Sequence, residues 1–145
     1  MITQNPFIQT KEKYSQTLFS LGKYELECYV FESKPNEPSL YVRDVQANLY
    51  NHVSDFYRFC WDAKEIKNDL IPIIDEVVER GWGDEILSSE LLTAIIEPES
   101  TYFTKNHNLA LGKKEAKEND CMQLKTVDFK RISMKWLEFL ESYVK

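Results

Sequence analysis

The chain has 145 residues, a net charge of −6 and 43% hydrophobic residues, which is typical of one globular domain (1–145) and not of a disordered chain. The negative balance disfavours nucleic acid and anionic membranes as partners. The first residues lack a basic segment followed by an apolar run, and no apolar stretch approaches the roughly 20 residues of a membrane span. We therefore expect a cytoplasmic protein.

Two patterns follow each other in the first third of the chain. Apolar residues at helical spacing between Thr10 and Gly22 predict a short amphipathic helix. From residue 23 to residue 43, apolar and polar residues alternate around a polar break at Lys34–Pro38, which favours a β-hairpin. The alternative is a helix that continues as far as Phe31.

A longer helix is expected next, with Asp44 as its N-cap and its end near Asp62. Its apolar arc covers roughly 200° of the helical wheel. A helix with so broad an apolar surface has neighbours on more than one side, so we place it in the middle of the domain.

Clear boundaries mark the helix that follows. Pro72 suits the first turn of a helix, and Gly81 suits the left-handed position after the last turn. Beyond Gly81-Trp82-Gly83, residues 84–97 are apolar nearly all round, which predicts a buried helix ending before Pro98. The alternative is a helical turn that leads into a strand through Leu92–Glu97.

Residues 99–126 show no clear periodicity, whereas the last segment has a strong helical pattern capped by Thr126 or Asp128. Eight apolar residues share one face of this C-terminal helix (Phe129, Ile132, Trp136, Leu137, Phe139, Leu140, Tyr143 and Val144). The fold class predicted from these segments is mainly α, a compact helical domain of about five helices with a β-hairpin at 23–43. An α+β fold is the alternative.

Catalytic signatures are weak. His52 and Asp55 form an i, i+3 pair on the predicted central helix, which is the spacing for orienting an imidazole or holding two corners of a metal site. The sequence adds no second histidine nearby, no HExxH motif and no cysteine pair, and His107 is most simply a loop residue. We therefore expect no enzyme activity, no metal and no cofactor.

The three cysteines do not suggest a site either. Cys28, Cys60 and Cys121 are spaced for neither a zinc motif nor a disulfide framework. Buried reduced thiols are the simplest interpretation.

The most unusual feature is the acidic stretch from Asp69 to Glu99, which carries nine carboxylates against a single base, Arg80. A solvated helix face is the ordinary explanation of such a run. The alternative is recognition, because clustered carboxylates steer a cationic partner. Trp82, between two glycines, is typical of an interface anchor, although packing over the helix end is the alternative for it. The predicted partner-binding residues are Asp75, Glu76, Glu79, Trp82, Asp84 and Glu85.

In length, negative balance and the segment Asp75–Glu85, where carboxylates surround an aromatic residue, the chain resembles small acidic bacterial immunity proteins that neutralise contact-dependent-inhibition toxins or nuclease colicins. The resemblance is one of size and charge pattern and transfers no residue by position. It implies a non-enzymatic cytoplasmic protein that docks an acidic face on a basic cognate toxin. The alternatives are a structural or oligomerisation module, with the apolar arc around Trp61 buried against another copy, and a small enzyme that uses His52 and Asp55.

Overall fold

Two four-stranded antiparallel sheets form the framework of the molecule. The computed structural model describes residues 14–45, 49–50, 52–60, 62–118 and 121–143. Within them the fold is α+β. The prediction of a mainly helical domain, and with it the description of the protein as helical, is therefore wrong, and the α+β alternative is correct.

The first sheet contains β1 (Tyr14–Leu21), β2 (Tyr24–Phe31), β3 (Ser39–Asp44) and the short β4 (Leu49–Tyr50), in that order. Pairing of β2 with β3 confirms the hairpin predicted at 23–43.

The helix predicted between Thr10 and Gly22 is wrong where the structure can test it, and Thr10 itself lies outside the described residues. All eight residues of β1 pair with β2 across a turn in which Gly22 has φ +58°. The apolar spacing does not mark a buried helix face, because Leu18 is 57% exposed. Pairing with a strand neighbour therefore outweighs the local pattern.

The predicted central helix is shorter than expected. It is α1, His52–Cys60, while Asp44 ends β3 and does not cap it. Val53, Phe56 and Tyr57 are buried, and α1 packs against β3 of the first sheet and against strands of the second. The expected central position is thus confirmed. Trp61 lies outside the described residues.

The next helical segment begins earlier than predicted. Asp62 and Glu65 form a reciprocal capping box at the start of α2 (Ala63–Glu65), which runs through a π-helical turn (Ile66–Leu70) into α3 (Ile71–Arg80). Pro72 lies in the first turn of α3, and Gly81 has φ +78° and donates its N–H to the Val77 carbonyl at 3.0 Å. The Gly81 signal for the end of the helix is confirmed, whereas Pro72 does not mark its start, because the helical run already begins at Ala63.

The second sheet contains β5 (Glu85–Ser88), β6 (Leu92–Ile96), β7 (Ser100–Lys105) and β8 (Met122–Lys125), again in sequence order. The buried helix predicted for residues 84–97 is therefore wrong. All five residues of β6 are buried, so the strand has core on both faces and its sequence is continuously apolar. A short run of that kind does not distinguish a buried strand from a buried helix.

Short helices α4 (Asn106–Leu109) and α5 (Lys113–Glu118) follow β7, and the long α6 (Thr126–Tyr143) follows β8. The C-terminal helix is confirmed, and its residues Phe129, Ile132 and Trp136 are buried; Val144 lies outside the described part. Buried side chains from both sheets and from α1, α3 and α6 form one hydrophobic cluster. Within the described ranges, no helix combines the length and hydrophobicity needed to cross a membrane.

Candidate functional site

Arg80, the last residue of α3, organises the turn that follows the helix. Its Nε donates to the Trp82 carbonyl at 2.9 Å, and its guanidinium carbon lies 5.1 Å from the centroid of the Trp82 ring. Gly81 and Gly83 have φ of +78° and +76°, values that residues with a Cβ rarely adopt. The turn holds the indole outward: Trp82 is 70% exposed and does not cover the helix end.

A cleft of about 830 Å³ lies beside this turn. One side is formed by Gly81–Asp84, and the other by the turn between β6 and β7, residues 97–100. Tyr102 and Val78 complete its lining. This space, called here the Trp82 cleft, therefore joins two aromatic side chains, Trp82 and Tyr102, with the carboxylates of Asp84, Glu97 and Glu99.

Two of these carboxylates are paired with lysines of α5. Lys113 Nζ lies 2.8 Å from Asp84 Oδ2, and this hydrogen bond and the aspartate charge raise the pKa of Lys113. Lys117 forms an ion pair with Glu97, and its Nζ lies 4.8 Å from the Tyr102 ring centroid. Glu99 is exposed and makes no ion pair with any described residue. Among the described residues, the cleft thus keeps one carboxylate without an ion pair and two that lysines of α5 neutralise.

The structure does not bring the six predicted partner-binding residues onto one face. Trp82 and Asp84 line the cleft, while Glu76 and Glu85 approach Arg80 at 3.5 and 4.0 Å.

The other two predicted residues lie apart from the cleft lining. Asp75 points to α6, where its Oδ1 is 2.6 Å from Lys130 Nζ. Glu79 is exposed, and no described base forms an ion pair with it. Much of the predicted acidic face is therefore neutralised within the chain.

Sequence reasoning missed the second wall of the cleft, Glu97, Pro98, Glu99 and Tyr102. Both acids of this wall were counted in the acidic stretch, but Glu97 was assigned to the end of a helix and Glu99 to a segment without clear periodicity. In the structure the Glu97 N–H donates to the Ser100 carbonyl at 2.9 Å, which closes a turn between β6 and β7. A proline and acids between two β-branched or aromatic runs were the available turn signal.

His52 and Asp55 both lie in the first turn of α1, and neither lines the Trp82 cleft. His107 is exposed in α4. No group of three or more His, Cys, Asp or Glu side chains among the described residues is arranged to hold a metal ion.

The cysteines differ in their surroundings. Cys28 is buried, and loss of hydration, with a smaller effect from Glu27, raises the pKa of its thiol to about 12. Cys121 is half-buried and, like Cys28, forms no disulfide, while the side chain of Cys60 lies outside the described part. A thiol with so high a pKa is a weak nucleophile near neutral pH.

Comparison of the chain with protein-family models, curated proteins and solved structures found no match.

Proposed function

We propose that this chain is a protein-binding module that holds a basic segment of a partner protein in the Trp82 cleft. The observation that carries the proposal is Trp82 itself, 70% exposed at the mouth of a cleft that also contains Tyr102. A tryptophan seldom stays so exposed in a monomer, and indole rings are frequent anchors of protein interfaces.

Charge complementarity supports a basic ligand. Aromatic faces attract lysine and arginine side chains, and both aromatic residues of the cleft already make such a contact, Trp82 with Arg80 and Tyr102 with Lys117. An incoming guanidinium would find the Glu99 carboxylate uncompensated. It could also exchange with Lys113, because the Lys113–Asp84 pair is exposed and exposed ion pairs contribute little stability.

A basic toxin domain would be a partner with this charge. Such a partner also agrees with the resemblance of the chain, in size and charge, to small acidic immunity proteins. In this proposal the chain performs no chemistry and acts in the cytoplasm. Because many of the acids on α3 are paired internally, the contact is narrower than a whole acidic face and centres on Trp82 and Glu99.

The test uses the product of a neighbouring reading frame that is basic and toxic when expressed alone. Co-expression of the wild-type chain should relieve the toxicity, and titration calorimetry should show binding that weakens as salt rises. Trp82→Ala and Glu99→Lys should each weaken binding at least tenfold, which corresponds to about 1.4 kcal/mol. The matched control is Leu111→Ala, since Leu111 is 65% exposed and lies outside the cleft lining.

Undiminished binding by Trp82→Ala would overturn the proposal, and so would a neighbouring product that the wild-type chain does not bind. Loss of binding by Leu111→Ala to the same extent would show that the Trp82 cleft is not the contact.

A second candidate function, self-association, is favoured by one observation on β1. Among the described residues this strand pairs only with β2, and no other described strand covers its second edge. Its sequence contains no charged residue and no proline, the devices that usually protect an edge strand. Two copies could pair through β1 in an antiparallel, two-fold arrangement.

Sedimentation velocity over a wide concentration range tests this candidate. A dimer that Leu18→Lys dissociates, and Leu111→Lys does not, supports it. A monomer at the highest concentration overturns it. Immunity activity without any dimer would leave the Trp82 cleft as the functional surface.

A further inference from the structure

We propose that a second cleft, which is lined by basic side chains where the Trp82 cleft is lined by acidic ones, binds a small polyanion of the phosphate class. It has a volume of about 600 Å³ and lies between the β1–β2 turn, β8 and the start of α6. We call it the basic cleft. It shares only Ser100 with the lining of the Trp82 cleft, and the inference does not depend on the function proposed above.

Three cations from three separate elements line the basic cleft. Lys23 comes from the turn between β1 and β2, Lys125 ends β8, and Arg131 lies in the second turn of α6. Asp128 is the one carboxylate among the described lining residues. The chain as a whole has a net charge of −6. A recess with three basic side chains therefore differs in sign from the charge of the chain as a whole.

The cations are available to a ligand. Lys125 is exposed and forms no ion pair with a described residue. Lys23 Nζ lies 3.4 Å from Asp44 Oδ2, and Arg131 Nη1 lies 3.8 Å from Asp128 Oδ1. Contacts at these distances between partly exposed groups are weak, so a multiply charged anion can displace them.

Neutral donors lie beside the bases. Gln123 Nε2 donates to Ser100 Oγ at 3.1 Å, which leaves the Ser100 hydroxyl hydrogen and the second amide hydrogen of Gln123 to donate elsewhere. Phosphate oxygens accept several such bonds at once, and bonds to a charged acceptor are stronger than those to a neutral one.

The volume of the basic cleft is sufficient for a small molecule. A recess of this volume is in the range of small-molecule sites, which combine apolar walls with a few placed polar groups. Leu21 and Leu124 provide apolar contact. A phosphate group with an organic portion would therefore use the cleft more fully than inorganic phosphate alone.

The test is calorimetric titration of the full chain with inorganic pyrophosphate and with ATP, without added metal, at low and at physiological salt. We expect saturable binding that weakens with salt. Lys125→Gln and Arg131→Gln should each weaken it about five- to tenfold. Lys114→Gln, which removes an equally exposed charge outside the cleft lining, should leave it unchanged.

Urea unfolding of each variant shows whether it is folded, and Trp82→Ala should retain anion binding even if it has lost the partner protein. Tighter binding of ATP than of pyrophosphate would indicate an organic phosphate, and equal binding would indicate the inorganic group; either supports the site. Absence of saturable binding, an equal loss in Lys114→Gln, or tighter binding of a hexaglutamate peptide than of both phosphates would overturn it.

Discussion

The Tyr57 hydroxyl and the Ser133 hydroxyl, 76 positions apart in sequence, form a buried hydrogen bond that joins α1 to α6. Ser133 donates its own hydrogen to the Phe129 carbonyl at 2.9 Å, so the Tyr57 hydroxyl must be the donor between the two side chains. Burial raises the pKa of Tyr57, and a bond that the neutral hydroxyl donates favours the same protonated form. The tyrosine therefore stays a neutral donor in the folded state.

This direction of donation predicts unequal effects of removing the two partners. Ser133→Ala leaves the Tyr57 O–H buried without its acceptor and should lower the free energy of unfolding by about 1–3 kcal/mol, whereas Tyr57→Phe should cost about 1 kcal/mol because Ser133 keeps its bond to Phe129. Urea unfolding measures both. The double variant should lose less than the sum, and a larger loss in Tyr57→Phe than in Ser133→Ala would contradict the assignment.

Three phenylalanine rings in contact with one another should contribute strongly to the free energy of unfolding. The Phe103 and Phe129 ring centroids are 5.0 Å apart and edge to face, and Phe56 lies 5.5 and 6.0 Å from them. These rings join α1, β7 and α6. Phe129→Ala should therefore lose about 3–5 kcal/mol in urea unfolding. Val127→Ala, at an exposed position of the same helix, should change stability by no more than about 0.5 kcal/mol.

Local signals in the sequence identify α3 and α6 because each has a one-sided apolar face. Gly81 ends α3, and Phe129, Ile132 and Trp136 mark the buried face of α6. The second sheet is not predictable in this way. Residues of β6 are buried on both faces of the strand, so no alternation of apolar and polar residues appears along it.

The candidate site was predictable only on one side. Trp82 and Asp84 are two positions apart in the acidic stretch, and Gly81 and Gly83 indicate their turn. Glu99 and Tyr102 reach the same cleft because β6 and β7 form a hairpin. This hairpin was not predicted from the sequence, because residues 84–97 were interpreted as a helix. Pairing of Asp75 with Lys130 depends on the packing of α3 on α6, which sequence spacing does not reveal.

The left-handed conformation of Gly81 predicts that a side chain at this position lowers the free energy of unfolding by a modest amount. A Cβ added there would meet no atom within 4 Å, but the residue has φ +78°. Gly81→Ala should therefore lose about 1–2 kcal/mol from backbone strain alone. Gly81→Asn should lose less, since asparagine tolerates the left-handed conformation better. Thermal unfolding of both variants tests this, and equal melting temperatures for Asn, Ala and wild type would contradict it.

Cys28 predicts a stability that falls with rising pH. Its thiol pKa is raised from 9.0 to about 12 in the folded chain, so above about pH 9 the unfolded chain releases a proton that the folded chain retains. The stabilisation is complete below the unfolded pKa and is lost as pH rises toward the folded pKa.

Cys28→Ala isolates this effect, because the other groups that titrate in that range, including Tyr24, Tyr41 and Tyr57, remain in both proteins. The variant should be less stable than wild type at neutral pH by about 1 kcal/mol, since one buried sulfur is lost. Between about pH 9 and pH 11 the wild type should lose about 2–3 kcal/mol more than the variant. Urea unfolding at a series of pH values measures the difference, and parallel curves for the two proteins would show that Cys28 does not titrate as a buried thiol.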